Sequence, residues 1–389
     1  MRAAPRPGLY LHVPFCVHRC GYCDFNVATG SDAALRTRYA AALSRRVTQI
    51  AAAGPGAVEP GRLAGAGDPW PVFGSVFIGG GTPTLLDSDD LAGILRRVFA
   101  VLPMAPDVEV TVEANPETVT DAGALRPLVD AGLTRLSLGA QSTSTAVLDQ
   151  LERRHDPDTV PRAIAAARAA GVDQVAVDLI YGTPGETDEQ WRRSLADVLD
   201  AGVDHVSAYA LTLAPNTPYA REVAAGTKAA PDDDVAADRM EVAASVLAAA
   251  GLERYEVSNW ARSGARCRHN LSTWRGGDYL AAGAGAHGRW AGRRWWEIRA
   301  TSAWLRGVEG SGRVVGGSEI VDSEQHRAER LLTGLRITEG VTRDEVAPID
   351  EAALGTLVQA GLLVDEAGRL RATRDGLARV DGMALALLP

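Results

Sequence analysis

The chain has 389 residues, 46% of them hydrophobic, and a formal net charge of −9. That length holds one large domain and a smaller one, each with a proper core. The acidic balance argues against a nucleic-acid surface as the main business of the protein, and no apolar run approaches the roughly 20 residues of a membrane span.

From Leu9 to about Leu213, short β-rich runs alternate with helical ones. Strands are expected at Leu9–Val13, Ser75–Ile78, Val108–Glu113, Arg135–Leu138, Gln174–Leu179 and His205–Leu211. Between them lie apolar-periodic, alanine-rich stretches at Ala33–Ile50, Asp89–Leu102, Asp121–Ala131, Thr159–Ala170 and Asp188–Asp200. Gly132, Gly171 and Gly202 stop helices just ahead of strands. Ala51 to Pro71, rich in Gly, Ala and Pro, reads as a surface insertion. Six βα units argue for a parallel sheet with helices outside it. Six are too few for an eight-fold barrel, so an α/β fold with a partial (β/α)6 barrel is expected.

Beyond Pro215 the pattern changes. A long amphipathic helix is expected over Asp232–Ala250, then irregular strands and loops through the Gly- and Trp-rich stretch Tyr255–Trp304. From Ser323 the order is helix (Glu324–Gly334), helix (Thr342–Val346), helix (Glu351–Ala360) and hairpin (Leu362–Ala372), an order that resembles a winged helix. It lacks a dense basic recognition face, which favours a packing or lid role over DNA binding. The expected division is a barrel over residues 1–231, an extension over 232–310 and a winged-helix-like domain over 311–389.

Three of the four cysteines fall in eight residues, Cys16-Val17-His18-Arg19-Cys20-Gly21-Tyr22-Cys23, directly after the first strand. The spacing C-x3-C-x2-C can bind three corners of a [4Fe–4S] cube and leave the fourth iron open to a small molecule. Three clustered cysteines cannot pair among themselves, and the chain is too long to need stapling. A zinc site usually has four closed ligands in C-x2-C pairs; His18 or Cys267 would have to complete one here. Reduced cysteines and the absence of a recognisable export signal point to the cytoplasm.

Other unusual residues collect at the same strand ends: Gly79-Gly80-Gly81-Thr82-Pro83-Thr84 after the second strand, Glu113-Ala114-Asn115-Pro116 after the third, Gln141 after the fourth, and Asp178 on the fifth. In parallel barrels the chemistry collects there. Glycines without side chains allow a ligand close to exposed backbone N–H groups. Glu113 and Asp178 can accept from an ammonium or ribose hydroxyls, and Arg153 can meet a carboxylate. For each, a helix cap or a salt bridge is the ordinary alternative.

The run Leu9-Tyr10-Leu11-His12-Val13-Pro14-Phe15 leading into the cysteines, followed by Gly79–Thr84, resembles the radical S-adenosylmethionine (SAM) superfamily, and within it the oxygen-independent coproporphyrinogen III oxidase-like group. The resemblance implies that Cys16, Cys20 and Cys23 hold a [4Fe–4S] cluster and that Tyr10 and Tyr22 flank SAM. It further implies SAM contacts at Gly80, Gly81, Thr82, Glu113, Gln141, Arg153 and Asp178. Arg153 rather than Arg154 fits the group's L-x-R-x-H element, and Val177–Pro184 its fifth-strand signature.

The group contains oxidases and haem chaperones. The oxidases carry a fourth cysteine two positions after the third, where this chain has Phe25, and a long N-terminal extension, where this chain has 15 residues ahead of Cys16. Cys23-Asp24-Phe25 resembles the HemW-type haem chaperones instead. So does Cys267-Arg268-His269-Asn270-Leu271-Ser272-Thr273-Trp274, with Thr273 where the family's H-N-x-x-Y-W has tyrosine. That makes His269 the candidate haem ligand, since an imidazole is a natural axial ligand for haem iron. The resemblance thus implies a protein that binds the cluster, SAM and haem and hands haem to acceptor proteins, with oxidative decarboxylation of coproporphyrinogen III as the alternative. Arg289, Arg293, Arg294 and Arg299 interleave with Trp290, Trp295 and Trp296. They read as a twisted hairpin with one solvated face, or as a patch that grips haem propionates or docks an acidic electron donor such as flavodoxin or ferredoxin. No nucleic-acid partner and at most peripheral membrane contact are expected.

Overall fold

In the first six strands apolar residues alternate with polar ones, and the computed structural model, which describes residues 5–55, 69–310 and 312–389, shows where each set goes. The strands are β1 (Gly8–Val13), β2 (Phe73–Gly80), β3 (Met104–Ala114), β4 (Arg135–Gln141), β5 (Gln174–Tyr181) and β6 (His205–Ala210). Leu9, Leu11, Val76, Ile78, Val110, Val112, Leu136, Leu138, Val175, Val177 and Val206 are all buried against the surrounding helices. Full burial of each contributes about 1.5–3 kcal/mol. The intervening side chains, such as Tyr10, Phe77, Glu113, Ser137, Asp178 and Ser207, line the concave interior.

The helices between the strands match their expected positions closely. Ala33–Ala53 begins at Asp32, whose side chain accepts from Leu35 N. Asp188–Asp200 carries a capping box between Thr187 and Gln190. Thr159–Ala170 ends on Gly171 in the left-handed conformation.

The sheet is larger than six strands. Among the described residues it has twelve, ordered β12-β11-β10-β9-β1-β2-β3-β4-β5-β6-β8-β7, where β7 is Glu253–Arg254, β8 Asn259–Ala261, β9 Tyr279–Ala282, β10 His287–Trp290, β11 Arg293–Glu297 and β12 Val315–Ile320. β9 pairs parallel with β1, so the partial barrel gains a seventh parallel strand from late in the chain. β10, β11 and β12 continue it antiparallel on that side, and β8 and β7 do so beyond β6. The result is an open α/β sheet rather than a closed barrel.

The Arg/Trp stretch is a hairpin of β10 and β11. Trp290 and Trp295 are buried, and Trp70 meets Trp290 edge-on at 5.0 Å. Of the expected surface insertion, residues 56–68 lie outside the described residues.

The C-terminal part packs the helices Ser323–Arg336, Arg343–Val346, Glu351–Gln359 and Val380–Leu387 around the small sheet β13-β15-β14 (Val341–Thr342, Arg369–Ala372, Leu363–Glu366), with its own apolar core of Leu331, Leu335, Leu354, Leu370 and Met383. Arg330 Nη1 donates to Trp274 O at 3.0 Å, which ties this part to the helix Arg268–Trp274 under the barrel.

Candidate functional site

The interior of the open barrel is a cavity of two lobes. One, of about 540 Å³, is lined by Tyr10, His12, Phe77, His269 and Tyr279 among others. The second, of about 410 Å³, is lined by Tyr22, Cys23, Gln141, Asp178, Ser207 and Tyr209. Phe25, Phe77, Glu113 and Asn270 belong to both.

The cysteine loop closes the mouth. Cys16 N donates to Ala28 O at 3.0 Å and Cys23 N to Cys20 O at 3.1 Å, which curls the loop over the end of β1. All three thiols are free, Cys20 buried and the other two half-buried. Cys16 Sγ lies 3.6 Å from Thr82 Oγ1, and Cys20 Sγ accepts from Arg153 Nη1 at 3.7 Å. Burial pushes the Cys16 thiol up and the Cys23 thiol up to about 11. Bound iron would reverse that preference by neutralising the thiolates. Among the described residues no three His, Cys, Asp or Glu side chains are placed to hold a single metal ion. A closed zinc site converges on one atom, whereas each iron of a cube takes its own thiolate, so the donor set fits the cluster.

The glycine turn works differently from the expectation of exposed donors. Gly80 N donates to Glu113 Oε2 at 2.9 Å, Gly81 N to Val13 O at 2.8 Å, and Thr82 N to Phe15 O at 2.7 Å. These amides are used inside the protein. The missing side chains instead allow close approach, since a Cβ on Gly81 would stand 2.5 Å from Phe15 O.

Glu113 is buried, and burial pushes its carboxyl up to about 7, with Asp178 adding to the rise and the Gly80 N–H opposing it. Burial also raises Asp178, against hydrogen bonds from Ser207 and Ser137. Two buried carboxyls with raised proton affinity facing the second lobe suit a ligand that brings its own positive charge, which would favour their ionised forms.

Gln141 has φ 65, left-handed for a residue with a side chain, at a register shift in the β4–β5 ladder. The bulge turns it toward the second lobe, a use of strain common at ligand sites. Arg153 donates to Asn115 Oδ1 and Gly139 O, both at 2.6 Å, and so sits behind the cysteine loop. Arg154 is exposed.

The residues at the strand ends thus come together at one mouth. His269 does not join them. It lies on the helix Arg268–Trp274, which closes the opposite end of the lumen, where Arg268 N and His269 N donate to Glu109 at 2.8 and 3.0 Å. Its Nδ1 is 2.9 Å from Ser75 Oγ, and its ring faces Phe77 at 5.2 Å. Burial pushes the imidazole down to about 4, so it is neutral.

Sequence reasoning did not single out His12, Asn26 or His287, and it offered Arg299 only as one arginine of the Arg/Trp patch. Tyr10 OH meets His12 Nδ1 at 2.9 Å, and His12 Nε2 meets Asn26 O at 3.0 Å. Asn26 Nδ2 then donates to Ala284 O at 2.8 Å and Arg299 O at 3.0 Å, tying the cysteine loop to the stretch after β9. The period-2 pattern of β1 could have placed His12 beside Tyr10 on the inner face. Nothing local marks Asn26 or His287.

Residues 10–198 match the Radical SAM superfamily model. A heme chaperone HemW from Mycobacterium tuberculosis is 40% identical over 99% of this chain and 96% of its own length. The mitochondrial radical S-adenosyl methionine domain-containing protein 1 of Mus musculus is 34% identical over 100% of this chain and 88% of its own. In structure, coproporphyrinogen III oxidase (HemN) from Escherichia coli superposes with a TM-score of 0.81 over 99% of this chain and 91% of that one, at 19% identity, a likeness of fold. Among the described residues no helix is long and apolar enough to cross a membrane. With a radical SAM core, a cysteine loop ending in Asp24-Phe25 and 40% identity to a HemW over nearly its full length, the chain belongs to the HemW family of the radical SAM superfamily.

Proposed function

We propose that the chain is a haem chaperone of the cytoplasm that binds a [4Fe–4S] cluster, SAM and haem and hands haem to haem-requiring proteins of the respiratory chain. The observation that carries this reading is the two-lobed lumen, with the cysteine loop at its mouth and a neutral histidine at its floor. Cys16, Cys20 and Cys23 would hold the cluster. Tyr10, Tyr22, Gly80, Gly81, Thr82, Glu113, Gln141, Arg153 and Asp178 surround the place for SAM beside it. Bound there, the cluster would supply low-potential electron transfer toward the SAM sulfonium. Haem is the cargo, and it would enter the larger lobe, whose volume is in the range of small-molecule sites.

His269 is suited to the iron. A hydroxyl at Nδ1 can hold the Nδ1–H tautomer and leave the Nε2 lone pair for a metal, the arrangement common among metal-ligating histidines. Phe25, which is 59% exposed and lines both lobes, stands where the oxidases place a further cysteine. An acidic donor such as flavodoxin or ferredoxin would reach the cluster across the exposed Val17 and Arg19.

The test is anaerobic. The cluster is reconstituted, SAM and reductant are added, and coproporphyrinogen III is offered in one tube and haem in another. A haem spectrum that His269→Ala abolishes, with no vinyl product, supports the chaperone. Vinyl product from the porphyrinogen overturns it in favour of the oxidase.

A further inference from the structure

The lobe that has His269 at its floor has a second histidine at its rim. His287 lies on β10, is exposed, and lines the same cavity. Its ring stacks on Trp296 of β11, with centroids 6.0 Å apart and planes 25° apart. Trp296 in turn lies over Gly316 and Gly317 of β12, where a Cβ at Gly317 would collide with the indole, so the aromatic shelf can lie flat on the sheet. Among the described residues no hydrogen-bond partner engages the His287 ring, whose nitrogens stay available. Burial, then Arg299 and Arg294, push its pKa down, which favours the neutral, metal-binding form.

Arg299 lines the same rim. Its neighbours in the hairpin are neutralised: Arg294 Nη1 meets Glu329 at 2.7 Å and its Nε meets Glu319 at 2.9 Å, and Arg289 lies 4.0 Å from Glu329. Among the described residues the Arg299 guanidinium has no carboxylate partner. A planar, dianionic ligand would therefore meet a nitrogen lone pair, on a ring held from behind by an indole, and an unpaired guanidinium at one edge of one cavity. Each element alone is ordinary on a surface. Together they match the chemistry of an iron porphyrin with its carboxylates turned toward solvent.

We propose that His287, backed by Trp296, is a second haem-iron ligand at the entrance of this lobe, and that Arg299 pairs with a haem propionate. The inference rests on the reading of the lobe as the haem site. His269 then acts from the floor and His287 from the rim. The rim ligand is the one the cargo meets on entering and releases on leaving, which suits a protein that must give haem away.

Ferric haem is titrated into the full-length chain and into the His287→Ala and Arg299→Ala variants. Absorbance and electron paramagnetic resonance report the spin state, and apomyoglobin in excess reports the rate of haem transfer. The wild type is expected to give a six-coordinate, low-spin spectrum. His287→Ala should shift it to high spin and speed transfer by about tenfold or more, the scale on which metal affinity responds to altered ligation. Arg299→Ala should keep the low-spin spectrum and weaken haem by about tenfold, a loss worth one ion-paired carboxylate. A His287→Ala protein with wild-type spectrum and transfer rate overturns the rim ligand and leaves the haem reading standing. A wild type that takes up no haem overturns both. His287 is exposed, and circular dichroism confirms that its variant folds.

Discussion

Ser75 on β2 and His269 on the floor helix are 194 positions apart in the chain, yet their side chains meet at 2.9 Å, Ser75 Oγ against His269 Nδ1. A Cβ on Gly8 would stand 2.8 Å from the same nitrogen, so the ring takes up the space that a side chain on β1 would need. The contact fixes the ring's orientation, and with Nδ1–H donating to the hydroxyl the Nε2 lone pair is left for a metal. Ser75→Ala should weaken haem binding by about 10–100-fold, the cost typical of losing a metal ligand's outer partner. It should cost only about 1 kcal/mol of stability. Haem titration beside a thermal melt separates the two effects, and unchanged haem affinity would remove Ser75 from the positioning role.

Glu297 holds the antiparallel extension onto the barrel. It is fully buried, and it accepts from Arg46 Nε at 2.6 Å, Trp304 Nε1 at 2.6 Å and Gly283 N at 2.9 Å. Removing the carboxylate strands a buried guanidinium and two further donors. Glu297→Ala should therefore cost about 3–5 kcal/mol in denaturant unfolding. Arg46→Met with Glu297→Leu, which removes both charges, should cost clearly less than Glu297→Ala alone. Equal losses would show that packing rather than the stranded charge sets the cost.

The barrel was legible in the sequence because its signals are local. Thr159–Ala170 and Asp188–Asp200 form as read, and β1 to β6 differ from the expected strands mostly at their ends. The triplet Cys16, Cys20 and Cys23 is equally local. What the sequence hid is pairing at long range. Tyr279–Ala282 is only four residues long, too short for a periodic signal, and only its register against Gly8–Leu11 makes it the seventh parallel strand. The same holds for the rim. His287 and Arg299 lie amid glycines and tryptophans without clear alternation, and only β10 to β12 folding back beside β9 carries them to the cavity. The use of Gly80, Gly81 and Thr82 amides inside the protein was hidden too, because their acceptors come from β1, β3 and the start of the cysteine loop.

Glu113 should leave a signature in the pH dependence of stability. Its carboxyl is raised from 4.5 to about 7, chiefly by burial. The folded state therefore holds the proton more tightly than the unfolded chain. The favourable contribution is complete below pH 4.5 and is lost as pH rises through about 7, a change of about 3 kcal/mol. Glu186 is also pushed up to about 7, and Asp178 and Glu256 are raised too, so the wild-type curve alone mixes several carboxyls. The difference between wild type and Glu113→Gln isolates Glu113, since the amide oxygen can still accept from Gly80. The variant should gain stability relative to wild type as pH rises across that window. A difference that stays flat from pH 4 to pH 8 would place the proton elsewhere.

Gly80 joins the glycine turn to the inner face of β1, and its substitution should act through His12. Its φ is +117, and a Cβ there would stand 2.5 Å from His12 Cε1. Gly80→Ala thus combines backbone strain, of order 1–3 kcal/mol, with displacement of a ring that bridges Tyr10 and Asn26. Gly30 is the control for strain alone, having φ +74 and nothing within 4 Å of its would-be Cβ. Gly30→Ala should lower stability modestly and leave SAM binding unchanged. Gly80→Ala should lower stability further and weaken SAM, because the bond from Gly80 N to Glu113 cannot survive a shift of the turn. Removing the obstructing ring separates the contributions. In a double-mutant cycle, Gly80→Ala with His12→Ala should lose less than the sum of the single changes, by about 0.5–3 kcal/mol, the range for residues in contact. Unfolding midpoints give the cycle and equilibrium dialysis gives SAM binding. Strict additivity would mean that the Cβ and the imidazole never meet, and that the loss at Gly80 comes from its backbone conformation alone.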